Sequence, residues 1–200
     1  MRYTIGQSGA DLLYETAGRQ IVDLYPTADG RAIAFQTRTT ANQLQSFELY
    51  NFDPIARKPN IITKFEATPF AYLLGWTRDN AGLVVARAAQ GTPSAASDAD
   101  ITVLSPDGGE QFSKTIRGGG GQEYFRLVGG QDVYYLARDA DGTANLWVYS
   151  LITQRSRIVS RNSRLDVGFG SVETLGPRHV VAVVHERTRN IYLLKAKLTN

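Results

Sequence analysis

The chain repeats one pattern four times along its length, and this repeat limits the folds open to it more than any other feature. In each repeat an apolar strand is followed by a polar hairpin and a second apolar strand. The second strands cover residues 49–52, 101–104, 146–149 and 191–194, and they begin 52, 45 and 45 residues apart. A period of ~40–50 residues with four strands per unit is typical of β-propeller blades. We therefore predict an all-β, propeller-like chain of about four four-stranded antiparallel blades.

The first strand of each pair is apolar almost throughout. These strands centre on Ile33, Val84, Val133 and Val181. Continuous apolar character is expected of a strand that has both faces covered. One sheet cannot cover both of its own faces, whereas sheets packed face to face around an axis cover one another. The repeat thus divides a single domain, residues 1–200, into units near 20–66, 67–117, 118–161 and 162–200.

Two questions about the architecture stay open in the sequence. Evenly spaced short strands also fit a β-sandwich, in which two sheets face each other. Four units fit either a four-bladed propeller or part of a larger one. Because the last unit lacks room for a fourth strand, we expect residues 10–16, within the N-terminal segment 1–19, to pair with residues 189–197 and close the last blade.

Composition narrows the classes of function. The chain has no cysteine, which excludes disulfides and thiolate metal sites. No apolar run approaches the ~18–20 residues of a membrane-spanning helix, and the first six residues lack the apolar segment of a signal peptide. We expect a soluble chain that uses no metal and no cofactor, with no catalytic residue that the sequence marks.

Charge is unevenly distributed. Residues 1–150 hold 13 Lys and Arg against 16 Asp and Glu, whereas residues 151–200 hold 9 against 3. Four arginines fall within ten residues: Arg155, Arg157, Arg161 and Arg164. Such a segment is either a solvated strand and loop or a surface for an acidic partner. Nucleic acid is not the expected partner, because no aromatic residues are interleaved with these arginines.

Two motifs suggest hydrolytic or metal chemistry, and both have a simpler interpretation. Ser8 lies in a glycine-containing segment that falls one residue short of the nucleophile elbow of hydrolases, and no helix pattern follows it. His179 and His185 lie six apart on one predicted strand and so share a face. A metal site there needs a third ligand, such as Glu173 or Glu186. We interpret these residues as a turn and as histidines on a strand surface.

Two loops suggest ligand binding in the same way. Residues 139–145 carry alternating carboxylates, as a calcium loop does, but the glycine comes early and the distal glutamate is missing. Residues 118–121 are four glycines, but they lack the lysine of a phosphate-binding loop. We interpret the first loop as a hairpin turn and the second as a linker between blades.

Four segments carry a resemblance to a known family. They read YPTADGRAIAF at 25–35, WTRDNAGLVV at 76–85, NLWVY at 145–149 and NIYL at 190–193. In this respect the chain resembles the TolB-like, or WD40-like (PD40), β-propeller repeat family over roughly residues 20–198. The resemblance implies a scaffold without catalytic residues of its own. Such repeats occur in periplasmic partner-binding proteins, beside peptidase domains and in sensor modules.

These observations together favour a non-catalytic module that binds a protein or peptide, within a larger bacterial protein or assembly. The alternative is a hydrolase or lyase that uses the central funnel of the propeller. Acidic or histidine side chains converging on the axis would favour the enzyme. For the binding module, we expect the partner at Arg155, Arg157, Arg161 and Arg164, with the long hairpin tip at residues 89–99 as the second choice.

Overall fold

We describe the fold from a computed structural model of the whole chain. The structure describes residues 2–3, 10–11, 14–16, 18–41, 44–66, 68, 70–89, 98–116, 125–138, 143–161, 167–174, 179–186 and 191–197. At residues 2–3, 10–11, 41, 44, 138, 167–174, 179–186 and 191–197 only the backbone is described.

The described residues form strands joined by turns and loops. The first sheet has the order β3 (Gln20–Pro26), β4 (Ile33–Ala41), β5 (Leu44–Asp53), β6 (Lys58–Phe65). The second sheet has the order β7 (Ala71–Trp76), β8 (Leu83–Ala88), β9 (Ala99–Leu104), β10 (Glu110–Ile116). The third sheet has the order β11 (Phe125–Val128), β12 (Asp132–Arg138), β13 (Ala144–Ser150), β14 (Arg155–Ser160). The fourth sheet has three strands, β15 (Val167–Thr174), β16 (His179–Glu186), β17 (Ile191–Lys197).

These four sheets are antiparallel meanders, a fifth sheet consists of the two short strands β1 (Arg2–Tyr3) and β2 (Ala10–Asp11), and no residue that the structure describes lies in a helix. In that part of the chain there is accordingly no helix long and apolar enough to span a membrane. The prediction of an all-β chain built from propeller-like, four-stranded antiparallel sheets is confirmed. Each four-stranded sheet combines the two strands of the sequence repeat with one strand before them and one after.

The second sheet decides between the propeller and the sandwich, because both of its faces are covered. Its Leu83 and Val85 pack against Leu49 and other apolar residues of the first sheet. Val84 and the side chains beside it pack on the other face, against Val133 and its neighbours in the third sheet. Three sheets in face-to-face succession are blades, whereas a sandwich has two facing layers.

The strand that comes first in each sheet along the chain lies beside its counterpart in the next sheet. β7 contacts both β3 and β11, and β11 contacts β15. Gly75 of β7 shows how close they come, because a Cβ there would lie 3.5 Å from Leu127 Cδ2 and 3.5 Å from Tyr25 Cδ1. These first strands therefore line the inside of the arrangement, and β6, β10 and β14 are the outer strands.

A buried glutamine joins the first two sheets. Gln36 of β4 is 1% exposed, and its Nε2 donates to the Ala71 carbonyl oxygen over 2.6 Å. The Leu73 N–H donates to its Oε1, also over 2.6 Å. The Gln36 amide thus pairs with a carbonyl oxygen and an N–H of β7, as the backbone of a neighbouring strand would. Trp76 makes a second tie, because its Nε1 donates to the Tyr25 carbonyl oxygen over 2.9 Å.

The expected pairing of residues 10–16 with residues 189–197 stays a prediction, because residues 12–13 and 189–190 lie outside the described residues. β2 (Ala10–Asp11) pairs with β1 (Arg2–Tyr3), and β17 pairs with β16. Tyr14 lies 5.8 Å, ring centre to ring centre, from Phe35 and from Phe52 of the first sheet. Tyr14 thereby covers part of the apolar face of the first sheet.

Candidate functional site

Tight turns gather at one end of the sheets. In a meander, alternate turns fall at the same end, so the β3–β4, β7–β8, β11–β12 and β13–β14 turns lie together. We call this the turn end. Residues 90–97, which include most of the hairpin tip named above, and residues 117–124 and 139–142 lie outside the described residues.

Two of these turns use the same pairing of a threonine and an aspartate. Thr27 Oγ1 donates to Asp29 Oδ1 over 2.7 Å, and the Arg31 N–H donates to the same oxygen over 3.1 Å. In the second sheet Thr77 Oγ1 donates to Asp79 Oδ1 over 2.6 Å, and the Ala81 N–H donates over 3.1 Å. A carboxylate that accepts both a hydroxyl and a backbone N–H fixes the turn.

These hydrogen bonds lower the pKa of the turn aspartates. For Asp79 the Thr77 hydroxyl is the main cause and the Ala81 N–H is the next. For Asp29 the Thr27 hydroxyl is the main cause, followed by the Arg31 N–H. Both carboxylates are thus held charged, and the Oδ1 atom of each is engaged with its own turn.

The lowered pKa of Asp79 predicts how its contribution to stability varies with pH. A carboxyl whose pKa is lower in the folded state stabilises the fold above the unfolded value of about 3.9, and this is lost as pH falls through the folded value. We expect Asp79→Asn to be less stable than the wild type near neutral pH and to approach it in acid. Urea unfolding from about pH 2 to 7 measures this, and a constant difference across that range would contradict it.

A cleft of about 690 Å³ opens between the second and third sheets at the turn end. Its lining includes Phe112 of β10 together with Leu151 and Ile152 of the β13–β14 turn. Phe112 and Leu151 are half-buried against the apolar cluster between the second and third sheets, whereas the Ile152 side chain is 71% exposed. The cleft therefore has an apolar floor and an exposed apolar rim.

Backbone hydrogen bonds hold three turns around this cleft. The Arg78 N–H donates to the Gly130 carbonyl oxygen over 3.0 Å, and the Leu151 N–H donates to the Gln131 carbonyl oxygen over 2.8 Å. The Gln131 Oε1 atom is enclosed without a hydrogen-bond partner among the described residues. An unmet acceptor costs about 1–3 kcal/mol, so Gln131 gains from any donor that reaches it.

The charge of the cleft comes from Arg78 and Asp79. Asp79 is engaged with Thr77 and Ala81, whereas Arg78 is exposed and pairs with no carboxylate that the structure describes. The cleft therefore holds one cation and one anion, and the Arg78 guanidinium is the group in it that can pair with an anionic ligand. Sequence reasoning missed Arg78, Gln131 and Ile152. A signal was present, since a large apolar residue such as Ile152 in a tight polar turn is unusual.

The arginines that the sequence singled out lie on the outer side of the third sheet. Arg155 and Arg157 are two apart on β14, which places them on one face, and both are exposed. They line a cavity of about 690 Å³ with Asp132 and Ser150. Arg161 follows β14 and is also exposed. Arg164 lies outside the described residues. None of Arg155, Arg157 and Arg161 forms an ion pair within the described part of the chain.

The inner strand β3 carries a half-buried carboxyl. Asp23 of β3 has a raised pKa, mainly because burial disfavours its charge, while Arg126 of β11 works in the opposite direction. No group of three or more acidic or histidine side chains comes together among the residues that the structure describes. His179 and His185 both lie on β16, where only the backbone is described. Ser8 and residues 118–121 and 139–142 are outside the described residues.

Comparison with solved structures shows the fold. The chain superposes on TolB from Acinetobacter baumannii with a TM-score of 0.53 and 13% identity, over 95% of this chain and 46% of that one. The propeller domain of the Trilobed protease from Pyrococcus furiosus superposes with a TM-score of 0.53 and 10% identity, over 94% of this chain and 59% of that one. A puromycin-hydrolyzing peptidase from Mycobacterium tuberculosis superposes with a TM-score of 0.59 and 12% identity, over 90% of this chain and 30% of that one. The chain thus spans less than two thirds of each.

No family model matches the chain, and no curated protein matches it. At 10–13% identity the structural likeness shows the fold alone. Together with the three face-to-face sheets, it identifies the chain as built from antiparallel blades of the β-propeller kind.

Proposed function

We propose that this chain is a non-catalytic binding module and that β14 with its arginines is the surface that receives an acidic protein segment. The observation that carries the proposal is the pair Arg155 and Arg157, exposed on one face of an outer strand and unmatched by any described carboxylate in an ion pair. Arg161 extends the same positive surface.

The position of β14 supports this function. It is the last strand in its sheet order, so one of its backbone edges has no ladder partner among the described strands. An extended segment can pair with such an edge through main-chain hydrogen bonds. Arginines on an edge also discourage pairing with another copy of the same basic strand, so they select for an acidic partner.

The solved structures support a binding role in a coarser way. TolB and the propeller domain of the Trilobed protease share the arrangement of sheets. Propellers present loops and outer strands on a rigid framework, where binding residues are free of packing duty. An acidic partner is our inference from the charge of β14, and the parent protein is proposed to be a larger bacterial protein or assembly.

Charge reversal tests the surface. The variant Arg155→Glu, Arg157→Glu, Arg161→Glu is expected to bind a fluorescent acidic peptide, rich in Glu and β-branched residues, at least about tenfold more weakly than the wild type, because three attractions become repulsions. Wild-type binding is expected to weaken as salt rises, since exposed charges are screened. Fluorescence anisotropy at low and moderate salt measures both effects.

A matched control separates this surface from the overall charge. Arg57, Lys58 and Lys114 are three exposed cations away from β14. Reversing them changes the net charge by the same amount and is expected to leave affinity within about threefold, because only long-range attraction is lost. Equal losses from the two triple variants would mean that net charge alone attracts the peptide, and the proposed surface would be rejected.

A further inference from the structure

We infer that the cleft between the second and third sheets binds the C-terminal end of a peptide whose last side chain is apolar. Arg78 receives the terminal carboxylate, and the Phe112, Leu151 and Ile152 side chains receive the apolar side chain. The inference is independent of the proposed function, because Arg155 and Arg157 lie on the other face of the third sheet, beside Val148 and away from this cleft.

The apolar part of the cleft gives the first requirement on the ligand. Phe112 lies 6.3 Å from Tyr149, ring centre to ring centre, in a stacked pair, so its position is set by the core. Ile152 leaves most of its surface exposed at the rim. An apolar side chain placed between them removes this surface from water, which is the main source of affinity in such sites.

The charge of the cleft gives the second requirement. Arg78 and Asp79 are its charged residues, and the Asp79 carboxylate is engaged by Thr77 and Ala81. Arg78 has no carboxylate partner among the described residues, and its backbone is held by the hydrogen bond to Gly130. A guanidinium pairs best with a planar carboxylate, which it meets with two parallel hydrogen bonds. A carboxylate that pairs with Arg78, next to an apolar group, therefore fits the cleft.

The remaining polar groups distinguish a peptide from a simple amphiphilic acid. Gln111, Gln131 and Gln154 line the cleft, and each side chain offers both a donor and an acceptor. Peptide N–H and C=O groups can match all three, whereas an acyl chain can match none. The Gln131 Oε1 atom, enclosed and without a partner, specifically needs a donor, and turning the amide presents it to a ligand N–H.

Size and rigidity agree with a short peptide end. A volume of about 690 Å³ lies within the range of ~300–1,000 Å³ that is typical of ligand sites. The hydrogen bonds from Arg78 to Gly130 and from Leu151 to Gln131 join the three turns before any ligand arrives. A site that is formed in advance loses less entropy on binding.

The test uses acetylated pentapeptide pools that end in Leu, Ile or Phe, each made with a free carboxylate and with an amide. We expect the carboxylate pools to bind the full chain at least about tenfold more tightly than the amide pools, as charge-assisted pairs allow. Arg78→Ala is expected to remove this preference, so that the carboxylate and amide pools bind with similar affinity. Isothermal titration or fluorescence anisotropy measures the dissociation constants.

The chain offers a matched control for the apolar contact. Ile55, in the β5–β6 turn of the first sheet, is 87% exposed and outside the cleft. We expect Ile152→Asp to weaken carboxylate binding at least about tenfold and Ile55→Asp to leave it unchanged. Circular dichroism confirms that both variants remain folded.

Three results would overturn the inference. They are equal affinity for the carboxylate and amide pools, equal losses from Ile152→Asp and Ile55→Asp, and displacement of the peptide by octanoate at the same concentration as by unlabelled peptide. The last result would mean that the cleft takes an amphiphilic acid. A failed acidic-peptide test at β14 would leave the outcome here unaffected, because the variants and probes differ.

Discussion

Replacing Gln36 with leucine is expected to lower the free energy of unfolding by about 2–5 kcal/mol, because the Ala71 carbonyl and the Leu73 N–H both lose their hydrogen bonds to this buried amide. Each buried backbone group left without a partner costs about 1–3 kcal/mol. Leucine is close to glutamine in size, so the loss comes from hydrogen bonding and not from an empty space. The midpoint of urea unfolding measures it.

An exposed glutamine provides the control. Gln20 lies on β3, is exposed, and accepts a hydrogen bond from Arg38 at the surface. Gln20→Leu is expected to change stability by less than about 0.5 kcal/mol, as most surface substitutions do. If Gln36→Leu also changed stability by no more than this, the side-chain amide would not be what joins the first two sheets.

Gln36→Glu sharpens the test through its dependence on pH. A charged carboxylate can accept from Leu73 but cannot donate to Ala71, and it would be buried opposite Asp23 in the register of β3 and β4. Burial would raise the pKa of the new carboxyl, so the protonated form, which both donates and accepts, restores stability at low pH. We expect this variant to gain stability relative to the wild type as pH falls. A constant deficit would contradict the geometry.

Gly130→Ala is expected to lower the free energy of unfolding by about 2–5 kcal/mol. A Cβ there would lie 2.4 Å from the Arg78 nitrogen and 2.7 Å from the Arg78 Cα, and these backbone atoms can move only if the two sheets separate. Gly130 also has φ of +68°, which disfavours alanine by about 1–2 kcal/mol. Overpacking adds about 1–3 kcal/mol. Thermal and urea unfolding measure the total.

The neighbouring glycine isolates the close contact. Gly129 has φ of +61°, but a Cβ there would meet nothing within 4 Å. Gly129→Ala is thus expected to cost only the conformational term of about 1–2 kcal/mol. Gly130→Ala is further expected to weaken peptide binding in the cleft, since the hydrogen bond from Arg78 to Gly130 must lengthen. Equal destabilisation by the two variants would show that contact between the turns contributes nothing.

The repeat of apolar strand pairs was sufficient to predict the all-β fold and its four-stranded sheets. β8 and β9 were predictable because residues 83–86 and 101–104 are mostly apolar, as is expected of strands covered on both faces, although Thr102 of β9 is buried and polar. The innermost strand of each sheet was not identified from the sequence; these strands are β3, β7, β11 and β15. β3 mixes Asp23 with exposed Leu24, because an inner strand has an open edge and partners that are set by the next sheet.

The arginines of β14 show the limit for surface sites. Their number and spacing are visible in the sequence, and alternation alone places Arg155 and Arg157 on one face. That Asp132 and Ser150 share a cavity with them depends on strand register. The position of Tyr14 in the N-terminal segment likewise depends on tertiary contacts that the sequence does not reveal. Tyr14 is an ordinary aromatic residue in sequence, and only the exposed apolar face of the first sheet determines where it packs.

The sequence by itself determined what depends on neighbours along the chain: the strands in the interior of each sheet, the Thr–Asp turns at 27–30 and 77–80, and the concentration of arginines after residue 150. The tertiary structure alone decided what depends on contacts between sheets. These are the role of Gln36, the close approach at Gly130, and the cleft that joins Arg78 to Ile152 from turns more than 70 residues apart. The reason is that hydropathy acts locally, whereas a hydrogen bond or a cleft requires two segments whose relative position only packing sets.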